Sequence, residues 1–215
     1  MKNWLANQLA RLLDTVLCIF VSFATGISAR HPSELTFGPQ RKVYYANHSS
    51  HGDFFLVWIS LPQDWRMQAQ PVAGADYWLG SHLRAFIARR VFKVLLIQRN
   101  SNPEQAIAAM GDALQQGRSL ILFPEGTRNT EDDESLLPFK SGIYHLACQN
   151  PGVEFVPVWI NNVNRVLPKG RILPVPLLCD VNIGQALQIN EAEGKHEFVQ
   201  RARQALLELA PEHAR

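Results

Sequence analysis

The sequence predicts an α/β domain with a largely parallel sheet flanked by helices, preceded by an N-terminal amphipathic helical segment. Three observations carry that expectation. Short β-like runs alternate with helix-length segments over residues 36–215, the pattern of strands joined by helical crossovers. The 215 residues, 47% hydrophobic and 19% charged, suffice for one substantial core and are few for two domains. Residues 1–35 depart from the alternation and carry a helical stripe instead.

In that opening segment Trp4, Leu5, Leu9, Leu12, Leu13, Val16, Leu17, Phe20 and Val21 recur at helical spacing, and Asn3, Asn7, Arg11 and Asp14 fall mostly off the stripe. The apolar run "TVLCIFVSFATGISA" starts only after Arg11 and Asp14. That order does not suit a signal peptide, although "ISA" imitates a cleavage site. The run has about 15 residues where a bilayer span needs about 20. Such a helix lies in an interface or packs on a core.

After "ARHPSEL" the expected strands are "KVYYA" (42–46), "PVAGA" (71–75), "VLLIQ" (94–98), "SLILF" (119–123), "FVPVWI" (155–160) and "LLCDVNI" (177–183). Helix-length segments between them are "DFFLVWISL", "DYWLGSHLRAFIARRVF", "PEQAIAAMGDALQQ" and "SGIYHLACQ". The third has the clearest bounds: Asn102 caps it, Pro103 suits the first turn, Gln105 completes a capping box and Gly117 ends it. The acidic run "EDDE" (131–134) reads as a solvated loop.

A formal charge of +2 does not supply the basic face of a nucleic-acid binder. Cys18, Cys148 and Cys179 are widely spaced, with no CxxC pair for zinc or redox chemistry. They read as buried apolar thiols in a reducing compartment.

Ligands of a parallel sheet bind beyond the carboxyl ends of its strands. "ANHSSHGD" follows the first expected strand, Arg99 and Asn100 follow "VLLIQ", and "PEGTRN" follows "SLILF", so these polar residues share one edge. An imidazole can take a proton from a hydroxyl near neutral pH, and a carboxylate can fix its tautomer. His48 and Asp53 fit those roles if "SSHG" turns sharply, with Gly52 available for a positive φ. A metal site built on His48, His51 and Asp53 would need further ligands, and His82, His145, His196 and His213 have no comparable carboxylate clustering. In "LFPEGTRN", Gly126 allows close backbone approach to an oxyanion, Thr127 adds a hydroxyl and Arg128 offers a planar fork for phosphate. Glu125, beside Arg128, would hold the loop in shape. Arg99, Arg128 and Lys140 of "PFKSG" are three cations on loops expected to converge, the composition of an anion site.

"NHSSHGD" resembles the Asn-His-x4-Asp block of the glycerolipid acyltransferases, the family that includes the 1-acylglycerol-3-phosphate acyltransferases, with Ser50 matching a serine frequent there. "VLLIQRN" is similar to their second block, ending in Arg99, and "FPEGTRN" matches the third. "PFKSG" matches the stretch that comes after the third block in the family, and "VPVWI" resembles the fourth. The resemblance covers roughly residues 40–160; only the spacing before "PFKSG" is longer than usual. It implies acyl transfer from a thioester of acyl carrier protein or coenzyme A to a lysophospholipid hydroxyl, foremost 1-acylglycerol-3-phosphate giving phosphatidic acid. His48 would be the general base and Asp53 its orienter. Arg99, Arg128, Thr127 and Lys140 would meet the acceptor's head group, with Glu125 and Gly126 shaping the pocket. No metal or other cofactor is implied. Residues 1–35 would dock the domain on the cytoplasmic face of a membrane, peripherally or monotopically. An acyltransferase for another lysolipid or a lipidated amine, and a membrane-bound lipid-binding protein, are the competing readings.

Overall fold

The computed structural model describes residues 26–30, 41–50, 52–98, 102–129, 135–161 and 179–211, with Leu9, Leu12, Thr15, Val16, Cys18, Ile19, Phe20, Ser22 and Phe23 before them. Within these, seven strands form a sheet: β1 (Ser28–Arg30), β2 (Lys42–Ala46), β3 (Ala69–Gly74), β4 (Leu95–Ile97), β5 (Ser119–Leu122), β6 (Glu154–Ile160) and β7 (Asp180–Ile183), in the order β1-β7-β6-β2-β5-β3-β4. From β4 to β6 the neighbours are all parallel. At the other edge β7 is antiparallel to β6, and β1 runs parallel to β7. The expected largely parallel α/β sheet is therefore present, with a reversed edge.

Its helices are α1 (Asp53–Ser60), α2 (Gln63–Arg66), α3 (Ala75–Trp78), α4 (His82–Phe86), α5 (Pro103–Gln115), α6 (Gly142–Gln149) and α7 (Lys195–Leu207), and a π-helical turn, Ile87–Val91, extends α4. β2 is buried at every residue, as a central strand covered on both faces must be. Its alternation divides the core. Tyr44 and Ala46 pack with Phe55, Leu56 and Trp58 of α1 and with Phe92. Val43 and Tyr45 pack on the opposite face with Leu114 of α5, Leu146 of α6 and Phe198 of α7. Lys42 is buried too, with its ammonium paired to Glu154 and 6.0 Å from the Trp65 ring centroid.

Three local expectations are revised. Of the thiols expected to be buried, Cys179 is, whereas Cys18 is half-buried and Cys148, on α6, is exposed. Asn102 caps α5 by accepting the Glu104 N–H at 3.1 Å, and its reciprocal side-chain partner is Glu104 rather than Gln105. The stretch around "ISA" ends in β1, an edge strand on β7, where helical spacing had been expected. Leu9, Leu12, Val16, Ile19, Phe20 and Phe23 are helical and exposed, and Cys18 and Ile27 pack against the α1 side of the core. Trp4, Leu5, Leu13, Leu17 and Val21 of the expected stripe, and "EDDE", lie outside the described residues.

The feature that places the site is a change of partner along β3. Ala69, Gln70 and Pro71 pair with Ser119, Leu120 and Ile121 of β5. Val72, Ala73 and Gly74 pair instead with Leu95, Leu96 and Ile97 of β4. Pairing with β5 stops at Pro71, whose nitrogen has no hydrogen to extend the ladder. Beyond it the two strands diverge, and a cavity of about 470 Å³ lies between Val72–Gly74 on one side and Leu122–Pro124 on the other.

Candidate active site

His48 leaves the carboxyl end of β2 and reaches Asp53 across a tight turn. Its Nδ1 lies 2.9 Å from Asp53 Oδ2. The same oxygen accepts the N–H groups of Ser49 at 2.6 Å and Ser50 at 2.8 Å. Asp53 opens α1, where a carboxylate is favoured by the helix dipole, and is wholly buried. Its Oδ1 is buried without a hydrogen-bond partner among the described residues. Gly52 does not take the positive φ expected of it: its φ is −89°, and its N–H donates to Ser50 Oγ at 2.9 Å. Oδ2 already accepts two N–H groups, which favours a third hydrogen from Nδ1; in the neutral ring that tautomer leaves the lone pair on Nε2.

The backbone of His48 is held at both ends by the loop that follows β5. Its N–H donates to Glu125 Oε1 at 2.6 Å, and its carbonyl accepts the Asn129 N–H at 2.6 Å. Glu125 Oε2 accepts the Leu137 N–H at 2.9 Å. Glu125 thus shapes the loop through amides, and it makes no ion pair with Arg128 among the described residues. Burial pushes the Glu125 carboxyl above its ordinary range, and the bonds from Leu137 and His48 draw it part of the way back. Phe123 stacks on the imidazole, with centroids 4.3 Å apart at 22°. Asn47 adds a brace: it exchanges two hydrogen bonds with the Ile160 backbone, at 2.8 and 3.1 Å. Phe123 and Asn47 had no assigned role in the sequence, although both sit inside the motifs.

Gly126 has φ +72°, and a Cβ there would stand 3.2 Å from Lys140 Cγ. The loop and Lys140 are therefore in close contact, and both line the cavity with His48. The remaining wall is mostly apolar, from Phe54, Met110, Ile143 and Leu146 among others. Thr127 and Arg128 are exposed and form no part of that wall. β4 runs toward the same edge and contributes Ile97, whereas Arg99 itself lies outside the described residues, as does His51. No group of three metal-ligating side chains occurs among the described residues. The arrangement joins an imidazole held by a buried carboxylate, one cation, Lys140, and a mostly apolar chamber.

The family model described as Acyltransferase matches residues 32–161. The chain is 35% identical over 150 residues to a 1-acyl-sn-glycerol-3-phosphate acyltransferase of Limnanthes alba, covering 64% of this chain and 48% of that protein. It is 32% identical over 149 residues to the human 1-acyl-sn-glycerol-3-phosphate acyltransferase alpha, covering 66% and 49%. The chain spans about half the length of these curated relatives. Its fold matches the crystal structure of the 1-acyl-sn-glycerophosphate acyltransferase PlsC from Thermotoga maritima, with a TM-score of 0.66 at 19% identity over 94% of this chain and 76% of that one.

Proposed function

The chain belongs to the acyltransferase family, and on that premise we propose that it transfers a fatty acyl group from a thioester to the hydroxyl of 1-acylglycerol-3-phosphate, giving phosphatidic acid. The observation that carries the reading is the position of His48, bonded to Asp53 through Nδ1 at 2.9 Å and lining an apolar cavity of about 470 Å³. A volume of that size suits a small-molecule chain. The names of the relatives support the acceptor.

In this mechanism His48 Nε2 takes the acceptor's hydroxyl proton as the oxygen attacks the thioester carbonyl. Asp53 stabilises the resulting imidazolium without accepting its proton. The tetrahedral intermediate collapses, the carbon–sulfur bond breaks and the departing thiolate receives the proton from His48. Lys140 on the rim, with Arg128, Thr127 and Arg99 from the neighbouring loops, would hold the head-group phosphate. Glu125 and Gly126 set the loop that frames it. The chemistry balances without a metal or redox cofactor. The donor is acyl carrier protein or coenzyme A carrying the acyl group.

Residues 1–35 would dock the domain on the cytoplasmic face of a bilayer, where lysolipid and soluble thioester meet; the exposed Leu9, Leu12, Val16, Ile19, Phe20 and Phe23 support contact with a membrane surface. Among the described residues no helix is long and apolar enough to cross a membrane. The test is a panel of lysolipid acceptors against both donors with purified protein, read by mass spectrometry of the products. Phosphatidic acid from 1-acylglycerol-3-phosphate supports the reading. Transfer only to an acceptor lacking phosphate, or no transfer at all, overturns it.

A further inference from the structure

The segment from α3 to Lys93 combines exposed apolar and basic side chains. Tyr77, Leu79 and Leu83 are 40%, 45% and 68% exposed. Arg84, Arg89, Arg90 and Lys93 stand in the same stretch against one acid, Asp76, in a chain whose cations and acids nearly balance at 21 and 19. Arg84 is held in place: its guanidinium lies 4.9 Å from the Tyr77 ring centroid, and its Nε donates to Ser81 Oγ at 3.2 Å. Arg89 and Arg90 occupy the π-helical turn and are both exposed. A π turn rotates less per residue than an α turn, so adjacent side chains diverge less and two neighbouring arginines can serve one surface.

The location gives this composition meaning. Asp76, Tyr77 and Trp78 line the cavity, so the patch borders its mouth. Trp78, Phe86 and Ile87 pack on the core cluster that also takes Cys18 and Ile27. The segment bearing the patch and the chain at Cys18 therefore pack on the same side of the sheet.

We propose that the surface formed by Tyr77, Leu79, Leu83, Arg84, Arg89, Arg90 and Lys93 is a second membrane contact, selective for anionic lipid, that holds the cavity mouth against the bilayer. The inference rests on the acyl-transfer reading for its purpose but not for its test. Cations alone would serve an acidic carrier protein; exposed leucines among them suit insertion between head groups, where each basic residue adds attraction to anionic lipid.

The test uses the full chain and vesicles of phosphatidylcholine, alone or mixed equally with phosphatidylglycerol. Arg89→Glu with Arg90→Glu should lower binding to the anionic vesicles by about tenfold or more and leave binding to the neutral ones nearly unchanged. Leu79→Ser with Leu83→Ser should weaken binding to both. With detergent-dispersed acceptor, both double variants should keep kcat/KM within about twofold of wild type, a change of under half a kcal/mol. Unchanged vesicle binding in both variants overturns the proposal. Unchanged vesicle binding with a raised KM for acyl carrier protein overturns it in favour of a carrier dock. A wild-type protein without transferase activity would sink the functional reading alone, because vesicle binding still decides the surface.

Discussion

The carboxylate of Glu125 accepts the backbone N–H of His48 at 2.6 Å, across 77 positions of sequence. Its second oxygen takes the Leu137 N–H at 2.9 Å. One buried side chain thus joins the loop after β2 to the loop after β5, and the placement of the imidazole depends on both.

Glu125→Gln keeps the side-chain shape but turns one acceptor into a donor that faces an N–H group. One buried amide loses its partner, at a cost of about 1–3 kcal/mol. The expected outcome is a lower urea midpoint and a lower kcat with KM little changed. Wild-type kcat would remove Glu125 from the positioning role.

The same residue predicts a pH signature. Burial raises its native-state value, so the native protein holds the proton more tightly than the unfolded chain. Its contribution to stability is then fullest below the unfolded value, near ~4.3, and is lost as pH rises through the raised native value. The stability of wild type relative to Glu125→Gln should fall across that window in urea titrations. A rise with pH would mean that the anion is the favoured native form.

The contact of His48 with Asp53 was legible in sequence because five positions and a turn suffice to join them. Glu125 was legible as a motif residue but not as a partner of His48, since that contact depends on β2 and β5 being neighbours. The central strand "KVYYA" appears with the same bounds as β2, because an unbroken buried run in a parallel sheet is distinctive. β1 was hidden: three exposed edge residues carry no alternation. The reversed direction of β7 was equally silent, because local pattern does not encode orientation. α7 had a readable stripe in Phe198, Ala202 and Leu206, all buried, yet its many charged residues masked it.

Asp53→Asn should reduce kcat by about 10²–10⁴ while preserving the circular dichroism spectrum. With its oxygen in the Oδ2 position the amide keeps the three bonds made there, but it lacks the charge that offsets the imidazolium, and its NH2 group takes the buried place of Oδ1, which has no partner among the described residues. Full activity in single-turnover assays would reduce Asp53 to a turn residue.

Gly126→Ala meets two penalties at once, φ of +72° and a contact of 3.2 Å with Lys140. Backbone strain of this kind costs on the order of 1 kcal/mol. KM for the phosphate-bearing acceptor should rise more than KM for the donor, as Lys140 is displaced. Equal changes in both would show that the loop serves the whole cavity.

Val72→Phe should fill the gap where β3 leaves β5 and shift donor preference toward shorter acyl chains, measured by competition between chain lengths. Unaltered preference would place the donor chain elsewhere.

The change of partner at Pro71 bears on how a small protein can afford a large binding chamber. A sealed void of 470 Å³ hollowed from a packed interior would cost about 11 kcal/mol at roughly 24 cal/mol per Å³, on the order of the entire stability of a domain this size. Here the space comes from strands parting, so both hydrophobic clusters keep their full complement of side chains. The width of the chamber is accordingly a hinge coordinate. Bending β3 and β4 together would widen it while shifting only Val72, Ala73, Leu95 and Leu96 against the two clusters they border, and amide exchange at Val72–Gly74 would register each such excursion.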